Sequence, residues 1–288
     1  MKNVLTLLVL LVALVSCEKP ITSADDTDTN KEVNEDDNLV VRVPADGLSA
    51  FSRLNVAIYD MDGTRIKQAN QQLDLSRTAS FQLAPHRRSA ALSCAASFQL
   101  APGTYLLVIV AHSSNGNPTM TNPHKIQFTN AQGFTDTFLY SENITIDDQR
   151  KELYVTPKRI VSLCRFVITD DYPTDVAKMR FYYTGGSGAF DATTGLGCVN
   201  SRQSLMFDIT DGQKQFDLYT FLHATEGTIH LTVTAYDAAD NVLYEREFDV
   251  PMKQNRITSM TGSYFTGSVS ISSLTIDTDW DAEYRLTF

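Results

Sequence analysis

The stretch Gly227-Thr-Ile-His-Leu-Thr-Val-Thr-Ala-Tyr-Asp237 alternates apolar and polar side chains with a period of two. Successive side chains on a strand point to opposite faces, so Ile229, Leu231, Val233 and Ala235 share one face. Asp237-Ala-Ala-Asp-Asn241 then turns the chain into a further strand, Val242 to Val250. The same device occurs earlier. Leu54, Val56 and Ile58 alternate with Asn55, Ala57 and Tyr59, and Val56-Ala-Ile-Tyr-Asp60 ends, like Val233-Thr-Ala-Tyr-Asp237, in Tyr-Asp at a turn.

Working outward from these two echoes, the rest of the chain reads as strands bounded by Gly, Asn, Asp and Pro, with little helical periodicity. Leu39–Val43 is a first strand. The apolar run Leu106 to Ala111 is a buried central one. A polar break, Asp147-Asp-Gln-Arg150, separates two halves near Ile146, and Leu153-Tyr-Val155 follows it. Ile160–Thr169, Met179–Thr184 and Phe216–Leu222 are strands of the second half, with Ile160, Cys164, Phe166 and Ile168 on one face. The fold class is all-β. Two successive β-sandwiches, over 39–145 and 146–288, fit the strand spacing, and a single large barrel is the other architecture open to it.

Residues 1–16 form a separate unit. Lys2 precedes an apolar run from Val4 to Val15, which at ~1.5 Å per residue spans about 18 Å, too short for a hydrocarbon core of ~30 Å. It reads as an export signal. Leu14-Val15-Ser16-Cys17 resembles the lipobox of bacterial lipoproteins, which implies lipid attachment at Cys17 and location at the outer membrane. At ~0.8 kcal/mol per buried CH₂, two or three acyl chains hold a protein at a membrane surface. Residues 17–38 follow as the lipidated cysteine and an acidic linker. From Glu18 to Asn38 there are eight acidic residues and two lysines, net −6, out of a whole-chain charge of −10. With almost no large apolar side chains this segment cannot bury enough surface to fold. It also resembles the surface-export signal of Bacteroidetes lipoproteins. No basic tract occurs, which argues against nucleic acid as a partner.

One internal repeat is present. Ala79-Ser-Phe-Gln-Leu-Ala-Pro85 recurs as Ala96-Ser-Phe-Gln-Leu-Ala-Pro102, seventeen residues later. The second copy runs on into the strand at 106–110. His86 to Ala95, with Cys94, is expected to be an extra loop, mobile and functionally neutral.

Enzyme chemistry is missing from the pattern, and no cofactor is expected. His86, His112, His124, His223 and His230 are scattered without metal-ligand spacing. Gly185-Gly-Ser-Gly188 lacks the Lys-Ser/Thr of a phosphate-binding loop, and no Gly-x-Ser-x-Gly elbow occurs. Asp60-Met-Asp-Gly63 lacks the later ligands of a calcium loop and reads as a tight turn. Asp36-Asp37 and Asp170-Asp171 lie in linker or turn contexts. With Cys17 acylated, Cys94, Cys164 and Cys198 remain. A Cys164–Cys198 bridge is open to the sequence, but Cys164 reads as a small buried strand residue and no disulfide is expected.

Glu245-Arg-Glu-Phe-Asp-Val-Pro-Met-Lys-Gln-Asn-Arg-Ile-Thr258 and Thr261-Gly-Ser-Tyr-Phe265, with the opening stretch, resemble the C-terminal domain of FimB-type fimbrial anchor and accessory subunits of Bacteroidales type V pili. Leu163-Cys-Arg-Phe-Val-Ile-Thr169 and Asp191-Ala-Thr-Thr-Gly-Leu-Gly197 match further landmarks. The resemblance implies transthyretin-like sandwiches, a lipidated N-terminus and fimbrial subunits as partners, met through strand complementation or docking. Stalk subunits of that system lose an N-terminal strand to an arginine-directed protease. Here no arginine precedes Arg42, which lies inside the first strand. The tail 268–288 is expected to pack on the second half, either as its last strand or as a donor. A pilus-tip adhesin or glycan-binding lipoprotein is the alternative function, which exposed coplanar tyrosines at Tyr182–Tyr183 would mark. An undetected hydrolase would need two close carboxylates in a cleft.

Overall fold

The computed structural model describes residues 33–34, 36–43, 51–73, 94–129, 134–209, 212–266, 274–275 and 282–287. Cys17, the signal and most of the linker lie outside them, as do the first repeat copy and His86. Every regular element among the described residues is a strand, and no helix there is long and apolar enough to cross a membrane. In the first half these are β1 (Leu39–Val43), β2 (Arg53–Tyr59), β3 (Arg65–Gln72), β4 (Cys94–Phe98), β5 (Gly103–His112), β6 (Thr119–Asn122), β7 (Lys125–Gln127), β8 (Thr137–Ile146), β9 (Lys151–Tyr154) and β10 (Lys158–Arg159). The second half has β11 (Ser162–Ile168), β12 (Lys178–Gly186), β13 (Ala189–Asp191), β14 (Leu196–Gly197), β15 (Ser201–Asp208), β16 (Gln215–Thr220), β17 (Glu226–Tyr236), β18 (Val242–Lys253), β19 (Arg256–Gly262), β20 (Leu274–Thr275) and β21 (Ala282–Thr287).

They build β-sandwiches with open edges, not one closed barrel. In the first, a sheet of order β4-β1-β9 covers a sheet of order β10-β8-β5-β2-β3. Leu39, Val41 and Val43 meet Val56, Ile58, Leu107 and Ile109 in its core. In the second, β16-β11-β19-β21-β20 faces β15-β12-β17-β18. Cys164, Phe166 and Ile168 pack there against Phe181, Ile229, Leu231, Val233 and Ala235, as their alternation requires. Ile160 lies apart, in a third core.

That third core lies between the halves. A four-stranded sheet of order β14-β13-β7-β6 takes two strands from each half, with Ile126 opposite Phe190 and Gln127 opposite Ala189. Phe128, Phe134, Phe190 and Phe221 cluster beside it, and Phe128 stacks on Phe221 at 6.0 Å. This core covers the outer face of the five-stranded first sheet, so Ala57, Tyr59, Val108 and Val110 are buried as fully as the inward residues. β5 is therefore apolar on both faces and central between β2 and β8, as its sequence run requires. β9 and β10, although they follow residue 146, pair with β1 and β8 of the first half. Val155 inserts into the first core. Within the expected loop 86–95, Cys94 and Ala95 already belong to β4.

Candidate subunit interface

A protein of paired sheets meets partners at its strand edges, where unpaired N–H and C=O groups are exposed. The first question is whether its terminal strands are used within the chain. β1 is held on both flanks: antiparallel to β4, with Leu39 opposite Phe98, and parallel to β9, with Leu39 opposite Lys151. Leu39 and Val40 are fully buried. Asn38, just before the strand, fixes its start. Its side-chain amide donates to the Leu100 carbonyl at 2.8 Å, and its carbonyl accepts from the Leu100 N–H at 3.0 Å. The Ser97 hydroxyl donates to Asp37 and accepts from the Asn34 N–H. Arg42 pairs with Glu152 of β9, and that hydrogen bond holds the Glu152 carboxyl below its usual range.

The tail is also used in cis. β21 lies parallel to β19, Arg256 opposite Ala282 through Thr261 opposite Thr287, and β20 pairs with β21. Just before the tail leaves, the Asp170 carboxylate accepts three successive backbone N–H bonds, from Tyr264, Phe265 and Thr266, at 2.9, 2.7 and 2.9 Å. Partial burial opposes its ionisation, but these bonds outweigh it and hold Asp170 below the usual aspartate range.

The remaining edges of the second sandwich differ. β18 carries Glu245, Glu247 and Asp249, all exposed, and Pro251, which has no N–H to offer. Charge and proline are common guards against edge pairing. β15 and β16 close the opposite seam with rings: Phe207 lies 5.1 Å from Phe216, and Phe181 lies 4.6 Å from Phe216. β15 also exposes Met206.

The chemistry-bearing residues do not converge. His112 is fully buried, with Nε2 2.8 Å from Asn55 Oδ1 and Nδ1 accepting the Ser114 N–H at 3.2 Å. The imidazole is thereby the Nε2–H tautomer, and Asn55 in turn donates to Asn70 and Asn117, each at 2.9 Å. His124 meets Asp191 at 3.0 Å, His223 meets the Gly197 carbonyl, and His230 meets Asp249. Among the described residues no three or more His, Cys, Asp or Glu are grouped to hold a metal. Cys164 is buried and free, its thiol pushed up to about 12 by desolvation, and Cys198 is exposed and free. Tyr183 is buried, its hydroxyl donating to the Tyr219 carbonyl at 2.8 Å, while Tyr182 faces the other way under Arg180. The two rings form no shared platform. Adjacent strand residues point apart, so the sequence already carried that signal.

Asp60 and Asp237 are turn residues. Asp60 Oδ1 accepts the N–H groups of Asp62 and Thr64 at 3.0 and 2.8 Å; Asp237 Oδ1 accepts those of Ala239 and Asn241, both at 2.8 Å. Asp191 likewise binds the Thr193 N–H at 2.8 Å, shaping the turn between β13 and β14, where Gly195 has φ +70°.

Residues 46–287 match the model of a family described as a family of unknown function, DUF6562. No curated protein matches the chain. A candidate adhesin from Bacteroides ovatus is similar in structure, with 14% identity and a TM-score of 0.49 over 77% of this chain and 87% of its own. The fimbrial anchor protein Mfa2 from Porphyromonas gingivalis is similar at 11% identity and a TM-score of 0.42, over 72% and 80%. A fimbrial assembly protein from Parabacteroides distasonis follows at 12% and 0.38, over 79% and 91%. These solved structures carry fimbrial or adhesin names.

Proposed function

The chain belongs to DUF6562, the family of unknown function whose model it matches, and from that premise we propose that it is a lipid-anchored structural subunit of a fimbria, acting as anchor or accessory subunit in assembly and attachment. One observation carries this reading: the strand nearest the N-terminus is kept in its own sheet, paired on both sides. With no arginine between Cys17 and β1, a subunit that keeps β1 uncut by an arginine-directed protease also keeps the acidic linker and Cys17. Arg42, the first arginine after the lipobox, is the fourth residue of β1, the central strand of a three-stranded sheet, with its side chain held by Glu152, a poor substrate for a protease that needs an extended, accessible chain. Twenty-one peptide steps from Cys17 to Asn38 reach at most about 75 Å, enough to hold the sandwiches clear of a membrane surface. Pilins are the partners, met by docking or strand complementation at edges such as β15, which lacks the acidic guard of β18.

Fractionation of cells carrying wild-type or Cys17→Ala protein tests this. Pili of normal length shed into the medium by the variant support the anchor. Pili that stay cell-bound reject the anchor role and leave a tip or surface-binding role. The tip-adhesin or glycan-binding alternative draws no support from Tyr182–Tyr183.

A further inference from the structure

The internal repeat has a structural consequence that its position alone does not suggest. The second copy, 96–102, supplies β4 with Ala96 and Phe98 and continues to Leu100, all buried in the first core. Its polar contacts are equally specific: Ser97 to Asp37 and Asn34, Gln99 to the Asn38 N–H, and the Leu100 main chain to the Asn38 side chain. Each of these groups exists at the same spacing in the first copy, as Ala79, Ser80, Phe81, Gln82 and Leu83. The slot beside β1 therefore has two chemically identical candidates on one chain.

Leu73 packs against the same core as Ala96 and Phe98. Leu73 is fixed by its N–H bond to the Ser52 carbonyl at 2.8 Å. Six peptide steps from Leu73 to Ala79 cover up to about 20 Å, and with the first copy in place residues 86–102 would link it to β5. We propose that the β4 slot is degenerate: residues 79–85 of the same chain can occupy it in place of 96–102, giving two folded strand isomers offset by seventeen residues. Exchange carries the long connection from the β3 side of the strand to the β5 side, at the opposite end of the sheet. Only the flanks distinguish the isomers. Val43 and Arg42 face Cys94 and Ala95 in the isomer described, and would face Arg77 and Thr78 in the other.

Hydrogen exchange on wild-type, Phe81→Asp, Phe98→Asp and doubly substituted protein tests the idea, with thermal melting in parallel. A charge at the buried phenylalanine position disables one copy. Phe98→Asp is expected to move amide protection from 96–100 to 79–83 and to lower the melting temperature by only a few degrees. The double variant is expected to lose about 10 °C or more, and Phe81→Asp to change neither readout. Phe98→Asp as damaging as the double variant, or no protection gained at 79–83, would overturn the proposal. So would protection gained only in a concentration-dependent dimer, because the replacement strand would then come from a second copy of the chain.

Discussion

The hairpins β2–β3 and β17–β18 close on the same chemistry and live in different surroundings. In each, a Tyr-Asp pair ends the first strand, and the aspartate carboxylate gathers the N–H groups two and four residues on. Yet Tyr59 is fully buried, its hydroxyl donating to the Met120 carbonyl at 2.7 Å, while Tyr236 is half-buried and meets the Arg180 guanidinium at 3.4 Å. The outer neighbours diverge likewise: Asn55 is sealed in a network with His112, and His230 is open to water. Turn geometry is local and repeats with its sequence. Burial of the outer face depends on what covers it, and only the first hairpin has the inter-half core above it.

Substitutions can break or sharpen this contrast. Tyr59→Ala should have the largest effect, removing a buried ring and orphaning the Met120 carbonyl, at about 3–5 kcal/mol by denaturant unfolding. Tyr236→Ala should cost about 1 kcal/mol or less. Comparable losses would mean that the inter-half core does not seal the first hairpin in solution. Next comes Asn55→Ala, which removes the acceptor of the buried His112 Nε2–H and one donor each to Asn70 and Asn117, for about 1–3 kcal/mol, against a few tenths for Thr232 of β17. Asp60→Ala and Asp237→Ala should then lower the melting temperature by small and matching amounts, a few degrees at most. A marked inequality would show that the two turns are not equivalent.

The smallest effect is a titration. Hydrogen bonds from the Asn241 side chain and main chain, and from the Ala239 N–H, hold Asp237 below the usual aspartate range. A carboxyl depressed on folding contributes stability that is fully present above its unfolded pKa and is lost as pH falls through the folded value. Carboxyl chemical shifts should therefore show Asp237 titrating at lower pH than an aspartate in the unfolded chain. The shift should shrink in Asn241→Ala, which removes the side-chain bond, its largest cause, and leaves the main-chain bonds in place.

What could be read in the sequence follows the same division. Of the sandwich strands, β1, β2, β5, β11, β12, β16, β17 and β18 were legible as local patterns, as were the central place of β5 and the aspartate turns; β4, β8, β15 and β19 were not. Neither was the burial of Tyr59, whose cover comes from Met120, Ile126, Phe190 and Phe221, up to 162 residues away. Nor was the departure of β9 to β1. Its alternating exposure shows only that it is a strand, not which sheet it joins. The bridging strands β13 and β14 are three and two residues long, too short to leave a period. For the candidate interface, the charged guard on β18 is visible as Glu245-Arg-Glu-Phe-Asp249, but whether an edge is free depends on pairings that local sequence does not specify.

The double flanking of β1 has a mechanical consequence. If tension arrives through the linker at Asn38 and runs along the strand, it meets hydrogen bonds to β4 that lie across the direction of pull. Such a joint is loaded in shear, with the bonds on both sides sharing the force, and does not peel open one bond at a time. The buried side chains Leu39, Val41 and Val43 must slide through the core before the strand can leave. Under load, the lifetime of the attachment is then set by the barrier to this sliding step and not by the equilibrium stability of the sandwich.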